Sequence, residues 1–186
     1  EMRGKRVSLD LLGSGTRYAA GIIMTAHGLM ENDFIAVEAT AGQAAHLMRG
    51  GELDAFFIVA GTPARAVTTV TRDKIATVIT LGESETAKIL AEHRFFSRSV
   101  IPQEAYEHVE ESATIAVGAQ WLTSVDAPED LIYAICHALW SDHARATLDD
   151  GHPQGKHIKL ASALDGVAIP LHPGAERCYR ELGALK

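Results

Sequence analysis

The chain has 186 residues, 47% of them hydrophobic and 22% charged, with a formal net charge of -7. That is one large domain or two small ones, apolar enough to pack a core and unlike a disordered segment. The charges are dispersed without a Lys/Arg-rich run, which excludes nucleic acid as a natural partner, and no apolar run approaches the roughly 18 residues of a membrane-spanning helix.

The opening Glu1-Met2-Arg3-Gly4-Lys5 carries no signal peptide and reads either as the middle of a protein or as an artificial start. A strand is predicted over Arg6 to Leu9, then the turn Gly13-Ser14-Gly15-Thr16 and a helix from Arg17 to His27. That helix places Ala19, Ile22, Ile23 and Ala26 on one face at three-to-four spacing, and Gly28 is its C-cap. Asn32-Asp33 makes a turn, Ile35 to Thr40 alternates as a strand, and Gln43 to Arg49 is a short helix closed by Gly50-Gly51. Ala55 to Val59 is uniformly apolar, as a strand covered on both faces should be. Thr62 reads as an N-cap and Pro63 as the first helical residue of a helix to Arg72. A fourth strand over Ile75 to Thr80 and a fourth helix over Glu83 to His93 complete four strand-then-helix units.

The alternation breaks after residue 93. Phe95 to Pro102 is extended, Gln103 to Ser112 is polar and irregular, and Thr114 to Ser124 reads as a long strand. Asp126-Ala127-Pro128-Glu129 has the form of a capping box opening a helix to about Leu148. A loop follows over Asp150 to Lys156, then a short helix near Ser162 and a last one from Gly174 to Leu182. The reading is therefore α/β, divided near residue 112: residues 1–112 form a complete parallel-sheet lobe, and residues 113–186 hold too few strands for a sheet of their own.

Two strand-to-helix turns have the chemistry to hold a carboxylate. In a parallel sheet such turns share one edge, outside the carboxyl ends of the strands, and helix N-termini there offer free N–H groups and a positive dipole end. At the first turn, the donors are the hydroxyls of Ser14 and Thr16 and the amides of Gly15 and Thr16. The plain alternative is a tight turn with a threonine cap. It is no dinucleotide fingerprint, because Tyr18 stands where G-x-G-x-x-G needs glycine. At the second, Gly61-Thr62-Pro63, Pro63 removes one donor and leaves Thr62 and the amides of Ala64 and Arg65. Arg65, like Arg17, would pair bidentately with a second carboxylate, against the plain reading of a solvated arginine.

Nine histidines invite a metal reading. No pair matches a zinc-binding or H-E-x-x-H spacing, so neither metal nor cofactor is expected. No nucleophile-base constellation occurs, and an enzyme is not expected. Cys136 and Cys178 read most simply as two buried free thiols; spacing alone leaves a disulfide open.

Several segments together resemble the TAXI-type solute-binding proteins of TRAP transporters. They are Arg3-Gly4-Lys5-Arg6-Val7-Ser8-Leu9 leading into Gly13-Ser14-Gly15-Thr16, Leu53-Asp54-Ala55-Phe56-Phe57 leading into Gly61-Thr62-Pro63, Ala127 to Tyr133, and Ile169 to Arg177. The resemblance implies a type II periplasmic-binding fold with two lobes around a cleft. Residues 1–112 correspond to the inserted lobe and residues 113–186 to the returning portion of the other, with no counterpart to the family's N-terminal segment. It further implies a periplasmic or extracytoplasmic protein that captures a small carboxylate, an amino acid such as glutamate or glutamine or a dicarboxylate, for membrane permease subunits. The same fold serves as the ligand-binding sensor of signalling proteins, which is the alternative. Ser14, Gly15, Thr16, Gly61, Thr62, Pro63 and Arg65 are the expected ligand contacts. Apolar surface from Thr114 onward would lack its cover, so self-association is expected.

Overall fold

The computed structural model describes residues 2–185, leaving Glu1 of the opening pentapeptide and the terminal Lys186 outside the described residues. The chain forms two compact units, Glu1–Ala116 and Val117–Lys186.

In the first unit, β1 (Arg6–Ser8) lies between β2 (Ile35–Val37) and β3 (Ala55–Phe56). Both pairings are parallel, with Val7 opposite Ala36 on one side and Ala55 on the other. Each strand feeds a helix: α1 (Gly15–Ala26), α2 (Ala41–Arg49) and α3 (Arg65–Arg72). The small residues Ala19 and Ala20, with Met24, give α1 its inward stripe, which packs Ala20 and Met24 against Val7, Leu9 and Phe34. Val7 and Leu9 are at most 1% exposed, and burial of such a side chain contributes about 1.5–3 kcal/mol. A second cluster joins Ala44, Ala45 and Met48 of α2 to Val70 of α3, Ala39 and Leu53. A third joins Ala19 of α1 to Ile89 of α4 (Glu83–Glu92) and Phe96 of β4 (Phe96–Ile101). Strand β4 pairs with β5 (Ser112–Val117) in a separate two-stranded sheet.

Three expectations fail here for identifiable reasons. Ile75 to Thr80 is not a strand: the amides of Ile75 and Ala76 turn back to the Val70 carbonyl, and the Leu81 amide goes to Ala113. Strand β3 ends at Phe56 rather than Val59. The Phe57 amide still meets the Ser8 carbonyl, but the Val59 amide leaves the sheet for the Thr16 hydroxyl. The strand expected from Thr114 to Ser124 stops at Val117 and pairs with β4, so the unit boundary falls after Ala116 rather than near residue 112.

The second unit is helical. The predicted long helix is two, α5 (Glu129–Leu139) and α6 (Asp142–Asp150). Ser141 divides them, since its hydroxyl donates to Ala138 and accepts the Ala144 amide as the N-cap of α6. The capping box at Asp126 is also absent: the Asp126 amide donates to Ser124, and Pro128 occupies the N-cap position.

The last helix, α7 (Pro173–Glu181), runs beside α5 in the same sense. Gly174 lies against Glu129 and Tyr133, and Cys178 is bonded to Cys136. The expected free thiols are therefore one disulfide, with Cα atoms 6.3 Å apart. Around it, Arg177 pairs with Glu129 and Asp130 and lies 4.0 Å from the centre of the Tyr133 ring. The Tyr133 hydroxyl donates to Glu181 at 2.6 Å, which holds its proton above the ordinary phenol range. Gly174 is obligatory, because a Cβ there would stand 2.8 Å from the Tyr133 nitrogen and closer still to the Glu129 carbonyl oxygen. His152 and His172 cap the helical turns after them in the same way, each accepting a backbone amide at its Nδ1 and each followed by proline.

Candidate functional site

Because β1 and β3 are parallel neighbours, the segments leaving their carboxyl ends emerge at the same edge of the sheet. Ser14 is the N-cap of α1, and its Oγ accepts the Arg17 amide at 3.0 Å. The Gly15 and Thr16 amides precede that bond, in the first turn, where an α-helix provides no acceptors of its own. They are the backbone donors the first turn presents, with Gly15 exposed beside them.

Thr16 differs from expectation. It is 8% exposed, and its Oγ1 accepts the Val59 amide at 3.2 Å. Its acceptor side is thus committed to the fold, joining the first turn to the exit of β3. Arg17 is not the solvated arginine of the plain reading: it pairs with Glu31 and stands 3.9 Å from Glu38, its side chain 18% exposed, and its Nη1 is buried without a hydrogen-bond partner.

The second turn places Gly61 in the open, with Thr62 and Pro63 half-buried. Helix α3 begins two residues later than predicted, at Arg65, with Ala64 as its N-cap. Thr62 is not the cap and Pro63 is not the first helical residue. Alanine has no side chain with which to cap. The Ala64 amide instead donates to the phenol oxygen of Tyr106, 42 residues on, at 2.7 Å. Tyr106 is 6% exposed and follows a single helical turn over Gln103–Ala105. Arg65 is exposed at the head of α3.

The turn after β2 opens at the same edge. The buried Ser8 hydroxyl of β1 donates to the Ala39 carbonyl at 2.9 Å, and Gln43 Oε1 accepts both the amide and the hydroxyl of Thr40. At the opposite end of the sheet, Arg6 and Asp54 tie the starts of β1 and β3. Asp54 accepts the Arg6 amide at 2.8 Å and two guanidinium bonds at 2.7 and 3.0 Å, and these hold its carboxyl well below the usual carboxylate range.

The structure thus brings Ser14, Gly15 and Thr16 to the same edge as Gly61, Thr62, Pro63 and Arg65. Sequence reasoning missed Tyr106, which lies in a polar stretch without periodicity. Among the described residues no group of three or more His, Cys, Asp or Glu side chains is placed to hold a metal ion.

A parallel three-stranded sheet with helices following its strands is compatible with a periplasmic-binding-protein-like fold. A family model described as NMT1-like family matches residues 1–183, and the chain belongs to that family. It is a periplasmic-binding-protein-like family with a solute-binding type of function, one of binding proteins rather than enzymes. No helix among the described residues is long and apolar enough to cross a membrane.

Proposed function

We propose that this chain is the solute-binding component of a TRAP-type transporter of the TAXI group, that it works outside the cytoplasm, and that it hands a small carboxylate to membrane permease subunits. The observation that carries the reading is the meeting of two donor-bearing turns, Ser14–Thr16 and Gly61–Arg65, at one edge of a parallel sheet. The α1 terminus supplies amides and partial positive charge for one carboxylate. Arg65 supplies a charge within the first turn of α3 for a second carboxylate, as in glutamate or a dicarboxylate. The Cys136–Cys178 disulfide favours an oxidising compartment.

Ser14→Asp tests the site. Aspartate caps a helix as well as serine does, so the fold is kept, while a negative charge is set where the ligand carboxylate would lie. Calorimetry with L-glutamate, L-glutamine and succinate should show binding by the parent chain and a loss of about tenfold or more in the variant, about 1.4 kcal/mol. Equal affinity in a folded variant would place the ligand elsewhere.

A further inference from the structure

The loop from Val59 to Ala64 leaves the sheet and carries Gly61, Thr62 and Pro63. Its first amide, on Val59, donates to Thr16 Oγ1 at 3.2 Å, and its last, on Ala64, donates to Tyr106 Oη at 2.7 Å. Both acceptors are hydroxyls on residues more than nine-tenths buried, and both reach in from elsewhere in the chain, 43 and 42 residues away. Val59, Ala60 and Gly61 between them are exposed.

The choice of hydroxyl matters. A carbonyl could accept these amides equally well but has nothing further to give. A hydroxyl that accepts keeps its own proton as a donor. Two such buried hydroxyls, one at each end of the loop, hold its ends, and each keeps a proton to donate. A buried amide left without its acceptor is costly, so loss of either hydroxyl frees that end of the loop.

We propose that Tyr106 is a positioning residue of the binding site: paired with Thr16, it clamps the Val59–Ala64 loop in its ligand-ready shape. The inference rests on the carboxylate-binding reading above and extends it to a residue outside both turns. Thr16, on this account, acts first on the loop, through Val59.

The test combines amide hydrogen exchange with calorimetry on the 186-residue chain, using L-glutamate and succinate as probes. In Tyr106→Phe, which keeps the buried ring, the Ala64 amide should exchange at least about tenfold faster, while Val59 and the ladder amides of Phe57 and Ile35 keep their rates. Affinity for whichever acid the parent binds should fall about tenfold or more. Thr16→Val should release Val59 in the same way, and Thr16→Ser, which retains the hydroxyl, should restore both exchange and affinity. Unchanged Ala64 exchange in Tyr106→Phe overturns the proposal, and so does a released Ala64 with undiminished affinity. If the parent binds neither acid, the carboxylate reading fails on its own, and the exchange rates alone decide whether the two hydroxyls hold the loop.

Discussion

Removing the disulfide is the most direct perturbation of the second unit. Cys136 and Cys178 are separated by 42 residues along the chain. Closing a loop of that length in the unfolded chain removes entropy worth about 4 kcal/mol, between the values of about 3 for 15 residues and 4.7 for 100. A domain of roughly 60–100 residues moves its melting point by about 4–8 °C per kcal/mol, so the unit should lose about 15–30 °C on reduction or in the double variant Cys136→Ser, Cys178→Ser. Both sulfurs are shielded, Cys178 at 0% and Cys136 at 7% exposure, so native protein should resist mild reductant and react once urea opens the unit. Differential scanning calorimetry with and without reductant measures the shift, and a thiol assay in non-reducing denaturant should count no free thiol. Two free thiols there, or a reduced chain melting within about 2 °C of the oxidised one, would refute the reasoning.

Other perturbations are equally specific. Gly174→Ala forces a methyl onto the Glu129 carbonyl and should cost about 3 kcal/mol, read by urea unfolding, with Gly174→Ser no better. Gly155→Ala meets the Leu148 carbonyl, its carbon only 2.8 Å from the new Cβ, and should lower the same transition. Asp54, held below the ordinary carboxylate range by Arg6, stabilises the first unit fully above about pH 4 and loses that contribution as the pH falls further. Asp54→Asn should flatten the fall in urea midpoint between pH 5 and pH 3. Trp121, Leu122 and Val125 are 74%, 67% and 85% exposed, and sedimentation velocity over a range of concentrations should show self-association that Leu122→Glu with Val125→Glu reduces.

The first half of the chain was legible because its elements are local. Hydrophobic spacing and Gly28 after the helix mark β1, α1 and β2 without long-range information, while the cap of α1 is Ser14 and not a threonine. Ile75 to Thr80 misled because apolar β-branched residues signal a strand only if a ladder partner is near. Here the backbone donors at the ends of that run close the end of α3 and reach β5 instead. The break between α5 and α6 is made by Ser141 as an N-cap, a signal that the predicted helix to Leu148 ran through. At the candidate site, the two turns were legible as helix starts, because glycine, serine and threonine are common there as caps and turn residues. Their roles were not legible. That Thr16 holds Val59, or that Tyr106 caps a helix 42 residues earlier, depends on tertiary neighbours that no local pattern encodes. The Cys136–Cys178 pairing is of the same kind, since it needs α5 and α7 to run side by side in the same sense.

Three long-range hydrogen bonds stitch the sheet's exits: Ser8 to Ala39, Val59 to Thr16 and Ala64 to Tyr106. A flexible lip would have to lose its disorder on contact, and that entropic loss would be subtracted from the affinity. A stitched lip has little left to lose. Binding at this edge should therefore be favourable in enthalpy, with a heat-capacity change set by the small area of the solute and not by loop folding. On the proposed reading, such a lip would discriminate by shape, accepting solutes that match its spacing of donors and rejecting larger ones it cannot yield to.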